Sequence, residues 1–122
     1  MPGNKSIILN RNVIFSFPEA ITKEIFIKKM KEFANNMVDF LKNNGCNGLG
    51  HIKVISTSNG EDYLQLSVLD INKSPKIDGI LRKTFEKIKL TLNVIVFGVE
   101  KEYVDNKISE ELSNLESYFN KK

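Results

Sequence analysis

Cysteine, histidine and tryptophan are nearly absent from this 122-residue chain, which contains one cysteine, one histidine and no tryptophan. The lone thiol, Cys46, excludes an intramolecular disulfide, and a chain without disulfides is typical of a reducing compartment. We therefore expect a cytoplasmic protein. His51, the one histidine, would have to carry out any proton transfer near neutral pH. No third group in the sequence pattern orients this thiol or this imidazole, so we predict no catalytic residue, no metal and no cofactor.

Sequence features that would indicate a membrane, a nucleotide or a nucleic acid are also missing. The apolar run at residues 7–9 is broken by polar residues 10–12, so it is too short for a signal peptide or a membrane span. No G-x-x-x-x-G-K-[ST] loop occurs, and we expect no nucleotide hydrolysis. The net charge is only +3, and the lysines are interleaved with acidic residues. We therefore expect that the protein binds neither a membrane nor a nucleic acid. The alternative is RNA binding by the lysines of the first predicted helix, which are Lys23, Lys28, Lys29, Lys31 and Lys42.

What the chain does contain is a regular alternation of apolar and polar residues, which is typical of strands. In residues 88–99 every even position from Ile88 to Val96 is apolar, and we predict the central strand there. Residues 6–17 alternate in the same way and predict an edge strand that ends at Pro18, with a possible bend at residues 10–12.

Two further alternating runs, residues 51–57 and 63–71, are separated by an Asn-Gly turn of the kind that favours a hairpin. The pattern of residues 72–86 is ambiguous. Ser74 and Pro75 are compatible with the start of a short helix, whereas Ile77, Gly79 and Leu81 fit an extended edge segment equally well.

Two amphipathic helices complete the pattern. The first runs to Asn43, with Ser16 and Glu19 or Thr22 as its possible cap, and the second opens near Glu100. Two apolar helix faces need one apolar sheet face to cover. We therefore predict an α+β fold: a two-layer sandwich of a mostly antiparallel sheet with two amphipathic helices on one face, forming a single domain over residues 1–122 with a flexible tail at 1–5.

The opposite sheet face is the predicted site. If the strands pair as neighbours, it brings together the polar residues His51, Lys53, Gln65, Ser67, Thr91 and Asn93. Three interpretations remain open: a solvated face, a small-molecule site, or an interface with a second copy or another protein. In the last case the apolar contacts would come from Ile55, Tyr63, Leu69, Ile95 and Phe97.

The segments GHIKV (residues 50–54), YLQLSV (63–68) and KLTLNV (89–94), followed by a helix opening at 100–102, resemble the C-terminal domain of CobW-like GTPases. The matching positions are His51, Lys53 and Asn93. The GTPase domain, its P-loop and its cysteine-rich metal motif are absent. The resemblance implies an accessory or regulatory module that acts beside a separately encoded GTPase or a metal- or corrinoid-related protein, and it carries over no catalytic residue.

These observations lead to two functional hypotheses. The first is a non-enzymatic, self-associating module that binds a protein partner or a small ligand through the predicted site. The second is a small tautomerase-like enzyme, in which removal of Met1 would expose the amine of Pro2 as a base and His51 would assist. The second hypothesis requires a pocket that reaches the first residues of the chain.

Overall fold

The computed structural model describes residues 6–120. This part of the chain forms five strands and two helices, in the order β1 (Ser6–Thr22), α1 (Lys23–Asn43), β2 (Gly48–Thr57), β3 (Tyr63–Val68), β4 (Lys76–Ile80), β5 (Thr84–Phe97) and α2 (Lys101–Phe119). The strands make one antiparallel sheet with the order β1-β5-β2-β3-β4. The predicted α+β sandwich is confirmed. Neither helix within residues 6–120 combines the length and the apolar character needed to cross a bilayer.

The core lies between the helices and one face of the sheet. In β5 the even-numbered residues from Ile88 to Val96 are at most 3% exposed, as their alternation predicts. They meet the apolar stripes of the two helices, whose buried side chains each contribute up to roughly 1.5–3 kcal/mol to stability. These helical side chains are Phe26, Met30, Phe33, Met37 and Leu41 of α1, and Val104, Ile108, Leu115 and Phe119 of α2.

The prediction that β1 ends at Pro18 is wrong, because the strand continues to Thr22. Its register with β5 shifts between Ser16 and Ile21, so Pro18 lies in an irregular stretch. β1 is an edge strand, where proline is tolerated because its missing N–H is not needed by a neighbouring strand. The helix cap is Thr22, whose Oγ1 accepts a hydrogen bond from the N–H of Ile25 at 3.3 Å.

The ambiguous segment at residues 72–86 contains no helix; it begins in a turn and then contains β4 and the start of β5. β5 therefore begins at Thr84, before the predicted start at Ile88. The bend considered at residues 10–12 does not interrupt the ladder, because β1 keeps an unbroken register with β5 from Ser6 to Ser16. Residues 1–5, including Pro2 and the predicted tail, lie outside the described part of the chain.

Candidate functional site

The sheet face opposite the helices, here called the outer face, carries all six residues of the predicted site. Residues directly opposite each other in an antiparallel ladder point to the same face, so the register defines its members. Thr91 and Asn93 of β5 lie next to Ile55 and Lys53 of β2. The other members are Ile8, Asn10, Asn12 and Ile14 of β1; Lys87, Lys89, Ile95 and Phe97 of β5; His51 and Thr57 of β2; Tyr63, Gln65 and Ser67 of β3; and Lys76, Asp78 and Ile80 of β4.

A bulge at Gly50 is what brings His51 onto this face. Leu49 lies opposite Val96 while His51 lies opposite Ile95, so Gly50 is an extra residue without its own partner. A Cβ atom at residue 50 would lie 2.7 Å from Cγ2 and 3.0 Å from the carbonyl oxygen of Ile95. Only glycine fits this approach without a shift.

Asn93 is the centre of a hydrogen-bonded network that links three strands. Its side-chain Nδ2 donates to Oδ1 of Asn10 on β1, so its Oδ1 is the atom that faces His51 on β2. An amide oxygen can only accept, and therefore Nε2 of His51 carries the hydrogen of this contact. Beside it, the hydroxyl of Thr91 donates to Oδ1 of Asn12 at 3.1 Å. The network holds these side chains in place before any partner arrives.

The remaining predicted residues lie on β2 and β3. Lys53 is opposite Asn93 on one side and Ser67 on the other. Nε2 of Gln65 donates to Oγ of Ser67 at 3.2 Å. Ser67 is only 6% exposed, so its hydroxyl supports Gln65 from below the surface and is largely closed to a partner. Thr91 is exposed, and the other four predicted residues are partly exposed.

The outer face is basic. Among its described members four lysines, Lys53, Lys76, Lys87 and Lys89, stand against one acidic residue, Asp78. Lys53 lies on β2, the central strand of the sheet, and Lys87 and Lys89 lie on the neighbouring strand β5. An excess of positive charge on one surface raises its potential and attracts an anionic partner.

The outer face also carries most of the large apolar side chains that residues 6–120 leave exposed. Of the nine large apolar side chains that residues 6–120 leave exposed, it holds five: Ile8 at 54%, Ile14 at 57%, Ile55 at 37%, Tyr63 at 52% and Ile80 at 77%. Single exposed apolar residues are ordinary, whereas several on one face are typical of an interaction surface. The face therefore combines apolar area with positive charge.

The described chain gives little support to other chemistry. Sγ of Cys46 donates to the carbonyl oxygen of Gly48 at 3.2 Å, and the side chain packs against the core. The thiol therefore has a structural role in the loop. No three His, Cys, Asp or Glu side chains within residues 6–120 are grouped to hold a metal ion. Four cavities lined by described residues have volumes of up to about 350 Å³, the value beside Pro18 and Tyr118, and none of these four is lined by a predicted site residue.

Sequence reasoning missed part of the outer face. Asn10 and Asn12 belong to the network, and the alternation of β1 already places them opposite its apolar side. The missing information was the pairing of β1 with β5, because partners so distant in sequence leave no local signal. Lys76 was missed because the strand β4 was left undecided between helix and extended structure.

Comparisons with protein-family models, with curated proteins and with solved structures found no match for this chain. The resemblance to the C-terminal domain of CobW-like GTPases therefore stays a prediction. Any function has to be argued from the outer face itself.

Proposed function

We propose that this chain is a non-enzymatic binding module that docks an acidic protein surface onto its outer face. The observation that carries the proposal is the combination, on one helix-free sheet face, of four lysines, five exposed apolar side chains and a fixed polar network. A protein interface uses both kinds of group, because apolar side chains supply contact area while charged and polar groups set orientation and steer the encounter.

The shape of the site supports a macromolecular partner over a small ligand. Small-molecule sites are concave and enclose most of their ligand. The outer face is a single open sheet layer, and each of the four cavities described above lies away from the predicted site residues. Its residues span all five strands, from Ile8 on β1 to Ile80 on β4, which gives an area suited to a second protein.

Charge supports an acidic partner. Lys53 and Lys89 lie on adjacent strands in the middle of the sheet, and neither takes part in an ion pair of the described chain. Carboxylates on a partner would meet these ammonium groups and accelerate its encounter with the face, and this effect would weaken as salt screens the charges.

The resemblance to CobW-like proteins supplies a candidate for this partner, namely a separately encoded GTPase or a metal- or corrinoid-related protein. The tautomerase-like alternative depends on Pro2, which lies outside the described residues. No contact of residues 6–120 favours it, and the module is the function that we develop.

The test uses a defined acidic probe. Isotope-labelled protein is titrated with a synthetic glutamate-rich peptide containing leucine, and backbone amide shifts are followed by NMR. We expect shifts concentrated on β2 and β5, lost when Lys53 and Lys89 are both replaced by Glu (K53E/K89E) and reduced by added salt. The matched control carries Lys31→Glu and Lys42→Glu on exposed positions of α1 and keeps the binding.

Two results would refute the proposal. One is a set of peptide-induced shifts that lies on α1 and disappears in the α1 control variant. The other is tighter binding of a single-stranded oligonucleotide of equal charge to the outer face, which would identify a nucleic-acid surface instead of a protein one.

A further inference from the structure

β1 presents a long unpaired edge. Within residues 6–120 it pairs only with β5, in an unbroken register from Ser6 to Ser16, so the backbone groups of its other side have no strand partner. Such an edge is a template for a further strand. The opposite edge, β4, is short, follows Pro75 and contains Gly79 at a φ of +99°, a conformation that interrupts a flat edge.

The sequence of this edge is symmetric about Arg11. Residues 6–16 read SIILNRNVIFS, and positions equally distant from Arg11 carry side chains of the same class. The matching pairs are Ser6 with Ser16, Ile7 with Phe15, Ile8 with Ile14, Leu9 with Val13, and Asn10 with Asn12.

We infer that two copies of this chain associate through their β1 edges, antiparallel about a two-fold axis at Arg11. In an antiparallel pair centred on one residue, positions equally distant from that residue face each other. The symmetric sequence therefore places serine opposite serine, asparagine opposite asparagine and apolar opposite apolar. Side chains directly opposite each other are the unit of stabilisation between neighbouring strands, and apolar pairs are among the favourable ones. The product is a continuous sheet of ten strands, five from each copy.

Arg11 is the position where two like charges would meet on the axis. Its Nη2 is already bonded to the carboxylate of Asp105 and lies 3.0 Å from Oγ of Ser109, both on α2 of the same chain. Each copy therefore brings a neutralised arginine to the axis. This internal ion pair reduces the repulsion that would otherwise oppose the pairing.

The pairing would also cover apolar area on the outer face. Ile8 is 54% exposed and Ile14 is 57% exposed. In the proposed register, Ile8 of each copy would lie beside Ile14 of the second copy. Ile8 and Ile14 also belong to the outer face, but the four lysines and the other three exposed apolar side chains of that face lie on the other four strands. The inference goes beyond the proposed function and does not depend on it.

The experiment compares two double variants by size-exclusion chromatography with light scattering. The native chain is expected at about twice its mass of 13.9 kDa. Ile8→Lys with Ile14→Lys (I8K/I14K) would set lysine against lysine at both symmetric contacts, and we expect a monomer. Ile8→Lys with Ile14→Glu (I8K/I14E) would set lysine against glutamate at both contacts, and we expect the dimer to return. Both positions are more than half exposed, so the fold itself tolerates the changes.

Ile55→Lys is the matched control, because Ile55 lies on the same face but on β2, away from the edge. We expect this variant to remain a dimer. A monomeric native chain at high concentration would overturn the inference, and so would equal masses for I8K/I14K and I8K/I14E. Dissociation by Ile55→Lys would also overturn it, because the copies would then be stacked face to face.

Discussion

Replacing Gly50 by alanine tests whether the bulge that orients His51 is a requirement of the fold. The new Cβ would lie 2.7 Å from Cγ2, 2.9 Å from Cβ and 3.0 Å from the carbonyl oxygen of Ile95. Carbon atoms in favourable contact are about 3.5–4.0 Å apart, so the overlap with Cγ2 is about 0.8 Å. Ile95 is β-branched and has few rotamers through which to withdraw, and its backbone is held in the ladder with β1 and β2.

Gly50→Ala should therefore cost about 1–3 kcal/mol in the free energy of unfolding, the usual range for overpacking. Gly48→Ala is the matched control. The new Cβ at residue 48 would find its nearest atom, Cδ2 of Phe97, at 3.4 Å, and the change should be close to neutral. Urea unfolding of the two variants measures the difference. Equal midpoints would refute the reasoning, because the close approach at the bulge would then have no energetic consequence.

Two further predictions concern the core and the loops. Phe119→Ala should lower the free energy of unfolding by about 3–5 kcal/mol, because the ring packs against Phe15 and Phe17, with centroid distances of 5.6 Å and 4.9 Å. Tyr118→Ala, at a partly exposed position of the same helix, should lower it by less than about 1 kcal/mol. Denaturant unfolding that gives equal losses for the two variants would contradict this prediction. Burial raises the pKa of Asp62, but hydrogen bonds from the Ser58 hydroxyl and from the backbone N–H groups of Ser58, residue 59 and residue 82 outweigh it and lower the pKa from 3.8 to about 2. Since the folded value is the lower one, this stabilisation is fully present above pH 3.8 and is lost as the pH falls toward 2; it amounts to about 1 kcal/mol after allowance for solvent screening. Asp62→Asn should lose that amount at pH 7 and flatten the acid limb of stability against pH, and an unchanged acid limb would contradict the assignment.

The architecture was predictable because its signals are local. Alternation in β5 and the apolar stripe from Phe26 to Leu41 in α1 each report burial through spacing alone. The end of β1 was wrongly predicted, because proline acts as a strand terminator only where its N–H is required. Whether Pro18 lies at an edge depends on sheet order, and a single sequence does not reveal that order.

The site was partly predictable for the same reason. The alternation of side chains along a strand was enough to group the odd-numbered residues His51, Lys53 and Asn93 on one face, and the structure places them on the outer face. The alternation gives the correct face for His51 because the bulge residue Gly50 lies before the predicted strand and does not interrupt it. The contribution of Asn10 depended on pairing between the first and last strands, which local pattern cannot specify.

The position of β5 governs when this fold can form. β5 is the last of the described strands to be synthesised, yet it lies between β1 and β2, and Ser6 at the start of β1 is opposite Phe97. Until the ribosome has made β5, β1 therefore has no strand partner within the described chain, and α1 has only part of its sheet to cover. Closing such distant contacts is slow compared with forming local ones. The symmetric edge of β1 is exposed throughout that wait, so nascent chains on one messenger RNA would be at risk of pairing with each other before either has folded.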